Sequence, residues 1–258
     1  MAALNPSEMS SERQIREDAA TSEAEWRAWL ARAEILELPE PISARADSRL
    51  VVVAPHPDDE VLACGGLLAA HVERGGKVAI IGVTDGEASH GDDPRWPPGP
   101  LGLARRGERV KGLAQLGVDA EAVTRIGIRD GEVTRQHRLL HHSLTALLRP
   151  DDVVITTWQL DGHPDHEACG RVVGSVCAAL GCTQLQAPVW MWQWSRPADT
   201  RVPWTRLRSF TLPGAALARK TKALVEHRTQ LSRRAQTGPV LGPAILARAT
   251  RATEYFFV

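Results

Sequence analysis

The chain has 258 residues, with 31 basic and 31 acidic side chains, 43% hydrophobic and only 5% aromatic residues. These values exclude a disordered or collagen-like chain, and a chain of this length buries roughly 70–75% of its unfolded surface in one core without staples. No apolar run approaches the roughly 18–20 residues of a membrane span, and the N-terminus lacks a basic, then apolar, then small-residue signal, so a cytoplasmic protein is expected. Cys64, Cys169, Cys177 and Cys182 sit in apolar or helical contexts without CxxC spacing, which reads as reduced thiols.

Residues 1–21 are polar and without apolar periodicity, and read as a flexible arm. An N-terminal helical extension is expected over 22–48. Ser22 and Glu25 have the spacing of a capping box, and Trp26, Trp29, Leu30 and Ala33 recur at helical intervals, predicting a helix to about Leu36. A main domain follows over 49–258. Leu50–Ala54, Val78–Thr84, Val123–Ile128 and Val153–Thr157 are continuous apolar runs, as in strands covered on both faces. Helical patterns near 60–74, 102–116, 134–148 and 165–180 alternate with them. This alternation predicts a three-layer α/β/α, Rossmann-like fold with a mainly parallel sheet and a small mixed C-terminal extension. The GxGxxG of a dinucleotide site is missing after the first strand.

In open α/β sheets ligands bind beyond the carboxyl ends of the strands. The first strand runs into Pro55, His56, Pro57, Asp58, Asp59 and Glu60, just before a helix. Four ionisable residues between an apolar strand and an apolar helix are costly to bury without a cation or a hydrogen-bond network. The fourth strand ends in a second such cluster, Asp161, Gly162, His163, Pro164, Asp165, His166 and Glu167. His56 and Asp59, like His163 and His166, are three apart and can share a face of a first helical turn. Three ligands of this type leave one zinc position open, the arrangement of a catalytic site. Ligand type alone does not separate Zn²⁺ from Fe²⁺, Co²⁺ or Mn²⁺.

PHPDDE before an apolar helix, with HPDH over a hundred residues later, resembles the PIG-L (LmbE-like) family of zinc-dependent N-acetylglucosaminyl deacetylases. The resemblance runs from about Leu50 onward and includes Val83–Glu87, Ala104–Val118, Ile126–Gly131 and Lys222–Gln230. It implies that His56, Asp59 and His166 hold the metal, that Asp58 is the catalytic base, and that His163 sits over the reacting carbonyl. A protonated His163 would then stabilise the oxyanion, with Asp165 placed to orient or charge its imidazole. Arg105 and Asp130 match positions where the family contacts the sugar. Glu60 either bonds a ligand or caps the helix. The activity implied is removal of an N-acyl group, most simply acetyl, from a glucosamine-type sugar or sugar conjugate. Two alternatives stand beside it: an amidase for a larger glycosylated natural product or thiol conjugate, and a metal- or sugar-binding relative without turnover.

Residues 88–103 are rich in Pro and Gly and read equally as an active-site lid or a surface insertion. His71, His137, His141, His142 and His227 default to structural or surface roles. Trp190, Trp192 and Trp194 alternate as on a strand, and packing is favoured over stacking on a sugar. Residues 201–258 carry eleven basic and two acidic side chains, a formal +9. No nucleic-acid-binding motif accompanies this charge, so a solvated helix paired with the acidic remainder is expected. The partner expected is a small-molecule sugar substrate, with no nucleic acid and no membrane span; homo-oligomerisation stays open.

Overall fold

The computed structural model describes Arg13, Ile15, residues 19–39 and residues 48–258. The strands are β1 (Leu36–Glu37), β2 (Leu50–Ala54), β3 (Val78–Gly82), β4 (Val123–Arg125), β5 (Val153–Thr157), β6 (Thr183–Ala187), β7 (Leu207–Thr211) and β8 (Thr253–Phe257). The helices are α1 (Glu23–Leu30), α2 (Asp59–Glu73), α3 (Pro98–Leu116), α4 (His137–Leu147), α5 (Pro164–Leu180), α6 (Met191–Trp194), α7 (Gly214–Leu224), α8 (Arg228–Leu231) and α9 (Pro243–Ala249). One sheet has the order β1-β7-β8-β6-β5-β2-β3-β4. From β6 to β4 all neighbours are parallel, and β8 runs antiparallel to β6 and β7. The strand order reverses between β2 and β5, which places a crevice at their carboxyl ends.

Alternation along β2 explains why a continuous apolar run was needed. Leu50, Val52 and Ala54 pack in one layer with Leu67 and Leu68 of α2 and Leu113 and Leu116 of α3. Val51 and Val53 face the other, with Leu140 and Leu144 of α4 and Val173 and Val176 of α5. A third cluster joins Trp26, Trp158, Trp192, Trp194 and Phe257 under α1 and α6.

The capping box at Ser22 forms, with the Ser22 amide donating to Glu25 Oε2 at 2.9 Å and the Glu25 amide donating to Ser22 Oγ at 3.3 Å. The helix nevertheless stops at Leu30 rather than near Leu36. The edge of β7 captures the chain instead: Leu36 and Glu37 pair in parallel with Arg208 and Ser209. Most of the 1–21 arm lies outside the described residues. Of the rest, the Arg13 side chain donates to Glu167, the Ala20 amide donates to the Gln193 carbonyl, and Thr21 Oγ1 donates to the Ser195 carbonyl. The alternating tryptophans do not form a strand. Asp161 Oδ1 accepts the amides of Val189, Trp190 and Met191 at 2.8–3.0 Å, and so caps the short helix α6.

The 88–103 segment is also more ordered than its composition suggests. Its second half is the start of α3, with Pro98 in the first turn, where a missing N–H costs nothing. Its first half is tied to the chain around α8: His90 Nε2 lies 3.2 Å from the Thr229 carbonyl, Asp93 accepts the Ala235 amide at 2.7 Å, and Arg95 donates to the Arg233 carbonyl at 2.9 Å.

Helix α2 is broken at Cys64, whose φ of −149° and ψ of 22° are non-helical. The break frees the amides of Gly66 and Leu67, and both donate to the carboxylate of Glu254 on β8, at 2.8 and 2.9 Å. Lys220 of α7 completes the arrangement, its Nζ lying 2.7 Å from Glu254 Oε1 and donating to the Leu62 carbonyl at 3.1 Å. The terminal strand thus holds the helix that carries the first acidic cluster.

Candidate metal centre and active site

The two acidic clusters meet at the crevice between β2 and β5. His56 lies on the loop after β2 and Asp59 opens α2. His163 is the N-cap of α5, and His166 sits in its first turn. Close packing fixes α5 there: a Cβ on Gly170 would lie 2.6 Å from the Gln159 amide nitrogen, so only glycine lets this helix approach the end of β5.

His56 Nδ1, Asp59 Oδ2 and His166 Nε2 form a nearly equilateral triangle, with separations of 3.1, 3.2 and 3.3 Å. Ligands at 2.0–2.1 Å from a tetrahedral ion lie about 3.3–3.4 Å apart. The three atoms therefore fit one face of such a tetrahedron, with the fourth position open. Tautomers agree with this reading. His56 Nε2 faces Asp130 Oδ1 at 3.1 Å, and His166 Nδ1 faces Asp161 Oδ2 at 2.8 Å. Each outer nitrogen donates its hydrogen to a carboxylate, which leaves the inner lone pair for a cation. Two wider groupings, His56 with His163 and His166, and His56 with Asp130 and Asp165, keep their ligand atoms within 4.8 Å of one another. The tighter triangle fits a single ion better, because its edges match the required spacing.

Charge in the site points the same way. Burial opposes a proton on His56, yet the carboxylates of Asp130, Asp165 and Asp59 outweigh it and hold its pKa well above the usual imidazole range. Burial likewise opposes charge on His166, but Asp59 and Asp161 lift its pKa to about 9. Asp59 is also pressed by burial toward neutrality, and the two imidazoles reverse this, keeping it well below the ordinary carboxylate range. The cluster favours positive charge at its centre, and protons compete with a metal for it. Zn²⁺ affinity, measured by competition with a chromophoric chelator, is expected to rise about ten- to a hundredfold per pH unit between pH 6 and 8 as one or two protons are displaced. In the same titration Asp161→Asn is expected to weaken binding by about ten- to a hundredfold, because His166 loses its carboxylate partner. Unchanged affinity would remove Asp161 from the centre.

Asp58 has non-helical backbone angles, φ 157° and ψ −25°, and does not share the face of Asp59. Its Oδ2 accepts from Arg105 Nη2 at 3.0 Å. Burial pushes its pKa up to about 7, with Arg105 pulling downward and Asp59 upward. The other Arg105 bonds are to the Gly86 carbonyl at 2.7 Å and the Pro57 carbonyl at 3.3 Å. Both Nη atoms are thus bonded within the protein, an arrangement that holds Asp58 in addition to facing the cavity. Asp130 is similarly engaged, by His56 and by the Ala88 amide at 3.0 Å.

Three expectations change. Asp165 does not serve His163 with its carboxylate, which accepts the Gly131 amide at 2.8 Å and lies 3.5 Å from His56 Nε2. His163 Nδ1 instead accepts the Asp165 amide at 3.3 Å, which leaves Nε2 as the N–H of a neutral ring. Burial, then the charges of His56 and His166, press its pKa well below the usual imidazole range, so the expected protonated His163 becomes a neutral donor. Glu60 neither caps α2 nor touches a ligand; it pairs with buried Arg109 at 3.0 Å.

His56, Asp58, Asp59, Arg105, Asp130, His163, Asp165 and His166 all line one cavity of ≈ 490 Å³. A larger groove of ≈ 780 Å³ between α4 and α5 contains none of them and holds the exposed His137, His141 and His142. Sequence reasoning assigned no role to Asp161, although an aspartate at the strand end, five before a ligand histidine, was visible. It also passed over Gln230, whose side chain donates to Thr229 Oγ1 at 3.0 Å on the cavity wall. Its neighbour Thr229 donates to Glu108 through both amide and hydroxyl, at 2.8 and 2.7 Å, which fastens α8 to α3.

Known proteins resemble the chain in sequence and in fold. It is 29% identical over 236 residues to a 1D-myo-inositol 2-acetamido-2-deoxy-alpha-D-glucopyranoside deacetylase of Mycolicibacterium gilvum, covering 71% of this chain and 81% of the relative. A protein of the same description from Mycobacterium sp. (strain KMS) is 32% identical over 178 residues, covering 59% of this chain and 56% of the relative. Among solved structures, the A40926 pseudoaglycone deacetylase Dbv21 superposes with a TM-score of 0.64 at 23% identity, over 81% of this chain and 96% of that one. N,N'-diacetylchitobiose deacetylase from Pyrococcus horikoshii gives a TM-score of 0.55 at 20% identity, over 83% and 81% of the two chains. Among the described residues no helix is long and apolar enough to cross a membrane. Residues 51–177 match the family described as PIG-L: GlcNAc-PI de-N-acetylase, and PHPDDE and HPDH, which converge on one centre, both lie within that match.

Proposed function

We propose that the protein is a Zn²⁺-dependent hydrolase that removes the N-acetyl group from a 2-acetamido-2-deoxyglucose unit carried on a larger conjugate. The observation that carries this reading is the triangle of His56 Nδ1, Asp59 Oδ2 and His166 Nε2, with both outer nitrogens tied to carboxylates. These three residues would hold the ion, which when bound supplies Lewis acidity and lowers the pKa of water. Fe²⁺, Co²⁺ and Mn²⁺ suit the same donors and are arms of the test below.

Asp58, outside the ligand triangle and on the cavity wall, takes the proton of the attacking water. Arg105 keeps the Asp58 carboxylate aimed and biases it toward the anion that accepts this proton. His163, neutral and with Nε2–H available, donates to the oxygen that gains charge as the amide carbon becomes tetrahedral. Asp130 and Asp165 orient His56 rather than touch the amide first. Asp130 and Arg105 still border the space for the sugar, where their unshared faces offer partners to hydroxyl groups.

The test is acetate release by full-length protein from N-acetylglucosamine, its 1D-myo-inositol glycoside and an N-acyl glycopeptide, after loading with Zn²⁺, Fe²⁺, Co²⁺ or Mn²⁺. Turnover of at least one conjugate is expected, lost on chelation and restored by the ion. Protein that binds one ion per chain and releases acetate from none of them would overturn the reading.

A further inference from the structure

The cavity at the metal centre does not end at the sugar site. It shares Ile15, Trp190, Arg234 and Val240 with a second cavity of ≈ 520 Å³. The walls of this second space are mostly apolar, with Ala19, Pro239, Pro243, Ala244 and Ile245 beyond the shared residues. Of its polar side chains, Gln193 accepts from Arg248, and Arg234 Nε donates to the Gly238 carbonyl at 2.9 Å, which leaves the remaining Arg234 donors as the main polar feature of this space. Sugar hydroxyls would find few partners there, whereas Asp130, Arg105, Ser89 and Gln230 all border the first cavity.

We infer that the second cavity is a subsite for an apolar or aromatic group attached to the sugar, so that the substrate is an amphiphilic glycoside. The inference rests on the deacetylase reading above. Continuity of the two spaces through Trp190 and Val240 provides the path, and removal of the apolar group from water provides the attraction. The residues that build it lie outside 51–177, the segment that matches the family model. An attachment on the sugar side is favoured over a long acyl chain because the relatives act on glycosides or glycoconjugates from which acetyl is removed.

The experiment compares kcat/KM of the Zn²⁺-loaded full chain on N-acetylglucosamine, on its octyl β-glycoside and on N-octanoylglucosamine. The octyl glycoside is expected to exceed free N-acetylglucosamine at least tenfold, mainly through KM. Ala244 borders only the second cavity and sits in the first turn of α9, where an acidic side chain suits the helix dipole. Ala244→Glu is therefore expected to keep its thermal midpoint and its rate on free N-acetylglucosamine while losing the octyl advantage. Ala244→Gln, uncharged and of equal size, is expected to lose less of it. Equal rates on the sugar and its octyl glycoside, or an advantage that survives Ala244→Glu, overturn the subsite alone. So does an advantage confined to N-octanoylglucosamine, which would make the space an acyl pocket. Absence of turnover on all three, with metal bound, overturns the deacetylase reading and the subsite together.

Discussion

Asp58→Asn is expected to lower kcat for deacetylation by about 10²–10⁴-fold while metal content stays near one ion per chain. Asparagine preserves the size of the side chain and an oxygen for Arg105, so the cavity wall is retained and only proton acceptance is lost. The residue is well suited to that task, because burial raises its pKa to about 7 while Arg105 opposes the rise. A bound divalent cation adds a further downward pull. The acid limb of the kcat/KM profile should accordingly fall at or below about pH 7 in the native enzyme and disappear in Asp58→Asn. His163→Ala is expected to reduce kcat by about 10²–10³-fold, as loss of one oxyanion donor does, also without metal loss. Metal loss from Asp58→Asn or His163→Ala would show that the residue belongs to the ligand set. Undiminished turnover by Asp58→Asn would assign the proton transfer to another group.

Glu254→Ala is expected to destabilise the fold by about 3–5 kcal/mol, the range for breaking a buried ion pair from one side. The substitution leaves Lys220 buried at 2% exposure without its carboxylate, and strands the amides of Gly66 and Leu67 at the break in α2. For a chain of this size the change corresponds to a fall of roughly 6–20 °C in Tm. Glu254→Ala combined with Lys220→Met should recover part of the loss, since the uncompensated cation is then gone. Urea unfolding of the two variants reads both numbers, and a single-variant loss below about 1 kcal/mol would show that solvent reaches the pair.

The central sheet and the two acidic clusters at its crevice were legible because both are written in local sequence. Continuous apolar runs such as LVVVA and VVITT have no other economical reading than strands covered twice, and the acidic clusters stand where those strands end. What escaped depends on contacts between distant parts of the chain. The tryptophans at 190, 192 and 194 alternate convincingly, yet Asp161, 28–30 positions upstream, gathers the amides of 189–191 and imposes a helical turn. Helix α1 was extended too far because the edge of β7 lies over 170 positions away and leaves no mark on the local pattern. Likewise, polar residues interrupt the apolar ones of β6 and β8. Their pairing is visible only across the sheet. Within the site, the residues that converge were readable but the bonds among them were not. The partner of Asp165 is His56 rather than its near neighbour His163, and no spacing rule separates the two.

The position of β8 between β6 and β7 has a consequence for biogenesis. As the chain emerges from the ribosome, β2 to β6 can assemble in order, but the paired β1 and β7 have no link to the growing sheet until residues 253–257 arrive. The same late segment brings Glu254, which secures the helix beginning at Asp59. Nascent polypeptide stalled before this point would expose the flank of β6 and hold a loosened first acidic cluster, so metal acquisition is expected to follow the emergence of residues 253–257.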